Sequence, residues 1–177
     1  MFMNNSKTKK IVVCALFAAI CFVITRFLQI STFYTKGYVN IGDCIVLLGA
    51  YMLGAKYGFA AAAVGSALAD VASGYMIYAP ATFVIKGLVA VIAYLFYKMS
   101  FGKKHKLPFV IAGSAVAELF MVAGYFLYEL PLYGKAAVMS IPGNFIQAVT
   151  CFVLATVIIT VFSKNKSVES IADEIRK

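Results

Sequence analysis

GSALADVASGYMIYAPATFVIKG, residues 65–87, sets an aspartate, Asp70, and a lysine, Lys86, inside runs otherwise apolar enough to lie in a bilayer. An ionisable side chain at membrane depth costs about 2.5–3.5 kcal/mol on insertion scales, so it turns toward the bundle interior and often marks a ligand or ion site. A structural ion pair that only locks two helices together is the plainer alternative.

Composition supports the membrane setting. Hydrophobic residues make up 63% of the 177, charged residues 13%, and the mean hydropathy is +0.90. Soluble domains carry roughly 45–50% apolar and about 25% charged residues. A spanning helix takes about 20 mostly apolar residues, which leaves room for about six and no separate soluble domain. The expected architecture is therefore an all-α membrane protein, with six transmembrane helices in a compact bundle forming a single domain over 1–177. Spans are expected at 9–30, 41–58, 59–78, 80–99, 108–129 and 142–163, followed by a cytoplasmic tail at 164–177. The second is short and meets the third at a tight turn, GAKYG. Pro80, Pro108 and Pro142 stand near span starts, where a missing N–H is tolerated, and Pro131 is expected in the loop after the fifth span. The apolar run 11–30 is long for a signal segment and lacks a clear small-residue cleavage site, so it reads as a retained first span.

The net charge of +9 belongs to short basic tracts between apolar runs, where it acts as a topology signal and not as a nucleic-acid face. Twelve Lys and Arg gather on one side of the expected spans. Arg26, Lys36 and Lys135 lie on the other, and Lys86 lies within a span. The positive-inside rule then puts both termini in the cytoplasm of a multi-pass plasma-membrane protein. Cys14, Cys21, Cys44 and Cys151 read as small buried hydrophobes, with no CxxC pair. His105, the single histidine, sits in KKHK. Neither a metal site nor a cofactor is expected.

Seven of the eleven tyrosines, at 34, 38, 75, 78, 125, 128 and 133, fall near the outer face, as interfacial anchors or as the mouth of a ligand site. By rise per residue, Lys86 lies about 9 Å in from the outer end of its span. Asp70 lies past the middle of the third span and Glu118 near the middle of the fifth. Asp43 begins the second span and Glu129 ends the fifth. Asn144 and Gln147 share one helix face at the start of the sixth. The polar groups thus collect in the outer half, over an inner half with no relay of carboxylates. That suits a pocket open to the outside better than an ion-coupled pathway. Phosphate-loop, HExxH and GxSxG motifs are all absent, so no enzymatic activity is expected. On the first span, Ala15, Ala18 and Ala19 form a small-residue stripe, fit for internal packing or for docking another membrane subunit.

In GYVNIGDCIVLLGAYMLG, GSALADVASGYMIYAPATFVIKG, MVAGYFLYE and SIPGNFIQA, the chain resembles the S components of energy-coupling factor (ECF) transporters, over residues 8–163. Within that class it is similar to the branch associated with riboflavin, hydroxymethylpyrimidine and pyridoxine. The resemblance implies high-affinity vitamin binding near the outer surface beneath the first outer loop. It also implies docking on a transmembrane coupling subunit, partly through Ala15 and Ala19, and inward toppling driven by two cytoplasmic ATPases. One departure is the lack of Trp, which leaves ring stacking to Tyr or Phe.

A hydroxymethylated pyridine or pyrimidine offers a flat face and polar edges. Tyr75, Tyr78 or Tyr125 would pack on the ring. Lys86, Asn144 and Gln147 would bond its heteroatoms, and Asp43 or Asp70 would take its hydroxyl protons. Tyr38, Asn40, Thr82 and Glu118 complete the expected substrate-binding set. A riboflavin-specific S component, a self-sufficient secondary carrier of a small aromatic solute, and a ligand-free assembly subunit remain as alternatives.

Overall fold

The structure, a computed structural model, describes residues 5–31, 38–103 and 106–176. Tyr34, Lys36 and His105 lie outside them. The described chain is mostly helical. In order come α1 (Asn5–Phe27), β1 (Gln29–Ser31), β2 (Tyr38–Asn40), α2 (Asp43–Ala72), α3 (Ala79–Lys98) and α4 (Leu107–Tyr133). A 3-10 segment (Gly134–Ser140), α5 (Ile141–Lys164) and α6 (Lys166–Arg176) follow. Among the described residues, four stretches are long and apolar enough to cross a membrane: Lys7–Phe27, Asp43–Ala72, Ala79–Lys98 and Leu107–Lys164, the last holding α4 and α5. This is an all-α membrane protein.

The helix α2 is two limbs. Gly54 leaves helical geometry at φ 79° and ψ −174°, a conformation that favours glycine. A Cβ on Gly58 would stand 3.2 Å from Ala50 Cα, whereas residues eight apart in a straight helix are about 12 Å apart. The chain therefore doubles back at Gly54, within the GAKYG stretch expected to turn. Eleven residues at 1.5 Å each give the first limb roughly 16 Å, well short of the ~30 Å of a hydrocarbon core. It is the most enclosed piece of the molecule, with Val46, Leu47, Ala50, Tyr51 and Leu53 all buried.

Close helix approach depends on small side chains, because lipid supplies no hydrophobic drive between helices. A Cβ on Gly65 would meet the Ala18 carbonyl oxygen at 2.5 Å and Cys21 Cβ at 2.9 Å. That contact seats α1 on the second limb of α2. Ala18 is half-buried there, while Ala15 and Ala19 point away from the bundle.

Several expected boundaries move. The third span ends at Ala72, not 78, because turns take over: the Ser73 and Tyr75 N–H groups both donate to the Asp70 carbonyl. Pro131 lies inside α4, not in a loop. It sits in the last turn, where only Leu132 and Tyr133 follow before Gly134 ends the helix at φ 57°. The first outer loop holds a short antiparallel pair, with Gln29 opposite Asn40 and Ser31 opposite Tyr38.

The tail expected at 164–177 holds a packed helix, α6, with Ala172 and Ile175 buried and Ile171 exposed. Glu169 accepts hydrogen bonds from Tyr51, Lys106 and Arg176 at 2.6, 2.8 and 2.9 Å. Burial pushes this carboxyl up, but those three donors outweigh it and hold it below its ordinary range. The Arg176 guanidinium lies 3.9 Å from the Phe101 ring centroid and donates to the Tyr51 carbonyl. Lys9 and Glu174 meet at 2.5 Å, so the two ends of the chain lie at the same end of the bundle.

Candidate functional site

Residues four apart on a helix lie on one face, and each helix reaching the opposite end of the bundle turns one polar face inward. Ser66 and Asp70 share a face of α2. Tyr78 at the cap of α3 stands in line with Thr82 and Lys86 within it. Tyr125 and Glu129 share a face of α4, and Ser140, Asn144 and Gln147, at steps of four and three, carry one face into α5. Thr25 from α1 and Tyr38 and Asn40 from β2 close the ring. These thirteen residues line one cavity, whose space between atoms, open solvent at its mouth included, is about 500 Å³.

Its floor is a buried polar network. The Lys86 ammonium donates to both Asp43 oxygens, at 2.7 and 2.6 Å. The Gln147 amide nitrogen donates to Asp43 Oδ2 at 2.6 Å, and its oxygen accepts the Asn40 N–H at 2.7 Å. The Asn40 side-chain oxygen accepts the Gly42 N–H at 2.7 Å, which fixes the entry to the first limb of α2. Asp43 in that first turn also meets the positive end of the helix dipole. Charges taken out of water need this degree of hydrogen bonding to be tolerated.

The walls are hydroxyls and aromatic faces. Tyr38 donates to Asp70 Oδ1, Thr82 and Tyr125 hydroxyls meet at 3.0 Å, and Tyr78 donates to Glu129 at 3.0 Å. The Lys86 ammonium also sits 5.3 Å from the Tyr125 ring centroid, within cation–π range. Two buried lining atoms, Thr25 Oγ1 and Asp70 Oδ2, have no hydrogen-bond partner among the described residues.

Nine of the twelve expected substrate-binding residues line this cavity: Tyr38, Asn40, Asp70, Tyr78, Thr82, Lys86, Tyr125, Asn144 and Gln147. Three do not. Asp43 lies beneath it, screened by Lys86 and Gln147. The Tyr75 ring packs against Tyr38, tilted by 45° with centroids 4.8 Å apart, and does not line the cavity. Glu118 is seven residues, about 10 Å, deeper along α4 than Tyr125, and is buried. Depth alone could not separate a lining residue from one behind or below it.

Thr25, Ser66, Glu129 and Ser140 line the cavity without having been expected there. Three of them were legible from helical spacing: Ser66 is one turn before Asp70, Glu129 one turn after Tyr125, and Ser140 one turn before Asn144. Thr25 lay in an apolar run with nothing to mark it.

The chain matches the family model described as "ECF-type riboflavin transporter, S component" over residues 5–164. It is 35% identical over 135 residues to a Pyrococcus woesei protein described as "Uncharacterized protein in gap 3'region", covering 75% of this chain and 86% of that protein. The fold is similar to that of the S component of a bacterial ECF transporter, with a TM-score of 0.71 at 21% identity over 89% of this chain and 97% of that one. On that match, spanning nearly the whole bundle, the chain belongs to the family of ECF transporter S components.

Proposed function

We propose that the chain captures a small water-soluble vitamin in the cavity described above, at the outer face of a bacterial plasma membrane. In this reading both termini lie in the cytoplasm, the two limbs of α2 count as separate spans, and six helices form the bundle. The substrate is pyridoxine or hydroxymethylpyrimidine, delivered inward by toppling together with a transmembrane coupling subunit and two cytoplasmic ATPases. The observation that carries the reading is the cavity lining: tyrosine faces for a flat ring, with hydroxyls, amides and one ammonium for its polar edges. Thr25 Oγ1 and Asp70 Oδ2, buried without partners, are the groups a ligand would satisfy.

Riboflavin is the alternative substrate, and the description of the matching family model favours it. The test is uptake into proteoliposomes. The chain alone should bind vitamin without transporting it, and uptake should need coupling subunits and ATP. Gradient-driven uptake by the chain alone would instead make it a secondary carrier.

A further inference from the structure

The charge balance of the cavity is uneven. Among the described residues lining it, Lys86 is the one cation, and both Asp43 oxygens already hold it. Asp70 and Glu129 bring two further carboxyls to the lining. Asp70 is only 2% exposed, and its position is fixed because its carbonyl accepts the Ser73 and Tyr75 N–H groups. Tyr38 supplies a donor to Oδ1, while Oδ2 has none. The Thr82 hydroxyl, 3.0 Å from that of Tyr125, also faces the Asp70 carboxyl but makes no hydrogen bond to Oδ2. A buried acceptor without a donor is unfavourable, and a ligand that supplies one recovers that loss. Asp70 also stands in the last turn of α2, at the negative end of the helix dipole, and the Tyr38 ring offers a face that attracts cations.

We propose that Asp70 Oδ2 accepts an N–H from the ligand, either an amino group or a protonated ring nitrogen. An oxo ring's lactam N–H also donates, so the selection rests on charge: with Lys86 already held by Asp43, the carboxyl-bearing lining selects a heteroaromatic ring basic enough to carry a proton over a non-basic oxo ring. This rests on the vitamin-capture reading and narrows its substrate class.

The test is calorimetric binding to the purified full chain. The panel is 4-amino-5-hydroxymethyl-2-methylpyrimidine, its 4-oxo counterpart, pyridoxine and riboflavin, each against wild type and Asp70→Asn. In wild type the aminopyrimidine should outbind the oxo compound by about 10–100-fold, as expected for a hydrogen bond to a charged group. The tightest ligand of the panel should be basic, and it should lose a similar factor in Asp70→Asn. Riboflavin or the oxopyrimidine binding tightest, or affinities unchanged in Asp70→Asn, would overturn the proposal and leave vitamin capture standing. No binding by any of the four would overturn both. The wild-type ordering alone decides the matter if the variant does not fold.

Discussion

Lys86 of α3 and Asp43 of α2 meet in the bundle with the ammonium 2.7 and 2.6 Å from the two carboxylate oxygens, both side chains almost wholly buried. The pair joins the cavity lining to the start of the short limb of α2. Removing one member strands the other charge in a low-dielectric interior, which costs about 3–5 kcal/mol. Asp43→Ala and Lys86→Ala should each lower the ligand-free melting temperature sharply. The double variant Asp43→Leu with Lys86→Met should recover most of that loss. Thermal unfolding in detergent checks both outcomes.

Gly65 has no room for a methyl group, because the obstruction at 2.5 Å is backbone, the Ala18 carbonyl oxygen. Backbone cannot swing aside as a flexible side chain would. Gly65→Ala should therefore cost about 1–3 kcal/mol by forcing α1 away from α2. Gly74→Ala, where nothing lies within 4 Å of the added carbon but φ is 82°, should cost less, through backbone strain alone. Comparing the two melting temperatures separates crowding from strain.

The carboxyl of Glu169 ties α6 to Tyr51, Lys106 and Arg176. Its pKa is lowered in the folded protein, so its contribution is fully present above the ordinary carboxylate range. It fades as pH falls through the lowered folded value. Protection factors of the α6 backbone amides, taken against the intrinsic exchange rate at each pH, should be lower at acid pH than at neutral pH, and Glu169→Gln should show the lowered protection already at neutral pH. Hydrogen exchange read by mass spectrometry resolves this helix from the rest.

Ala15 and Ala19 face away from the bundle, whereas Ala18 packs inward. If the outward pair docks the coupling subunit, Ala15→Leu with Ala19→Leu should leave vitamin affinity unchanged and abolish co-purification with that subunit. Ala18→Leu should instead destabilise the chain itself. Pull-down and melting temperature, read side by side, distinguish the two effects.

Helical content and the reversal in GAKYG were legible because hydropathy and a glycine-flanked turn act locally. The same locality let Lys86, Asn144 and Gln147 be grouped at one end of the bundle, where they line one cavity. Two kinds of feature were not legible. Pro131 was expected in the loop after the fifth span, yet a proline in the last turn interrupts few hydrogen bonds, and α4 continues to Tyr133. The α6 docking site depends on Tyr51, Lys106 and Arg176, which come together only when the bundle is assembled. Asp43 and Asp70 looked alike along the chain. Only packing shows that one is saturated by Lys86 and Gln147 while the other keeps a bare oxygen toward the cavity.

The most direct measurement is equilibrium binding of pyridoxine, hydroxymethylpyrimidine and riboflavin to the purified chain without nucleotide or partner subunits. It should be repeated in Asn144→Ala and Gln147→Ala. The account predicts one-to-one tight binding of one of these vitamins. Thermal stabilisation should reach about 4 kcal/mol at a thousandfold excess over Kd, and each variant should weaken binding by about 3–10-fold or more. No stabilisation by any of the three, or tight binding untouched by both variants, would contradict the assignment of this cavity as the capture site.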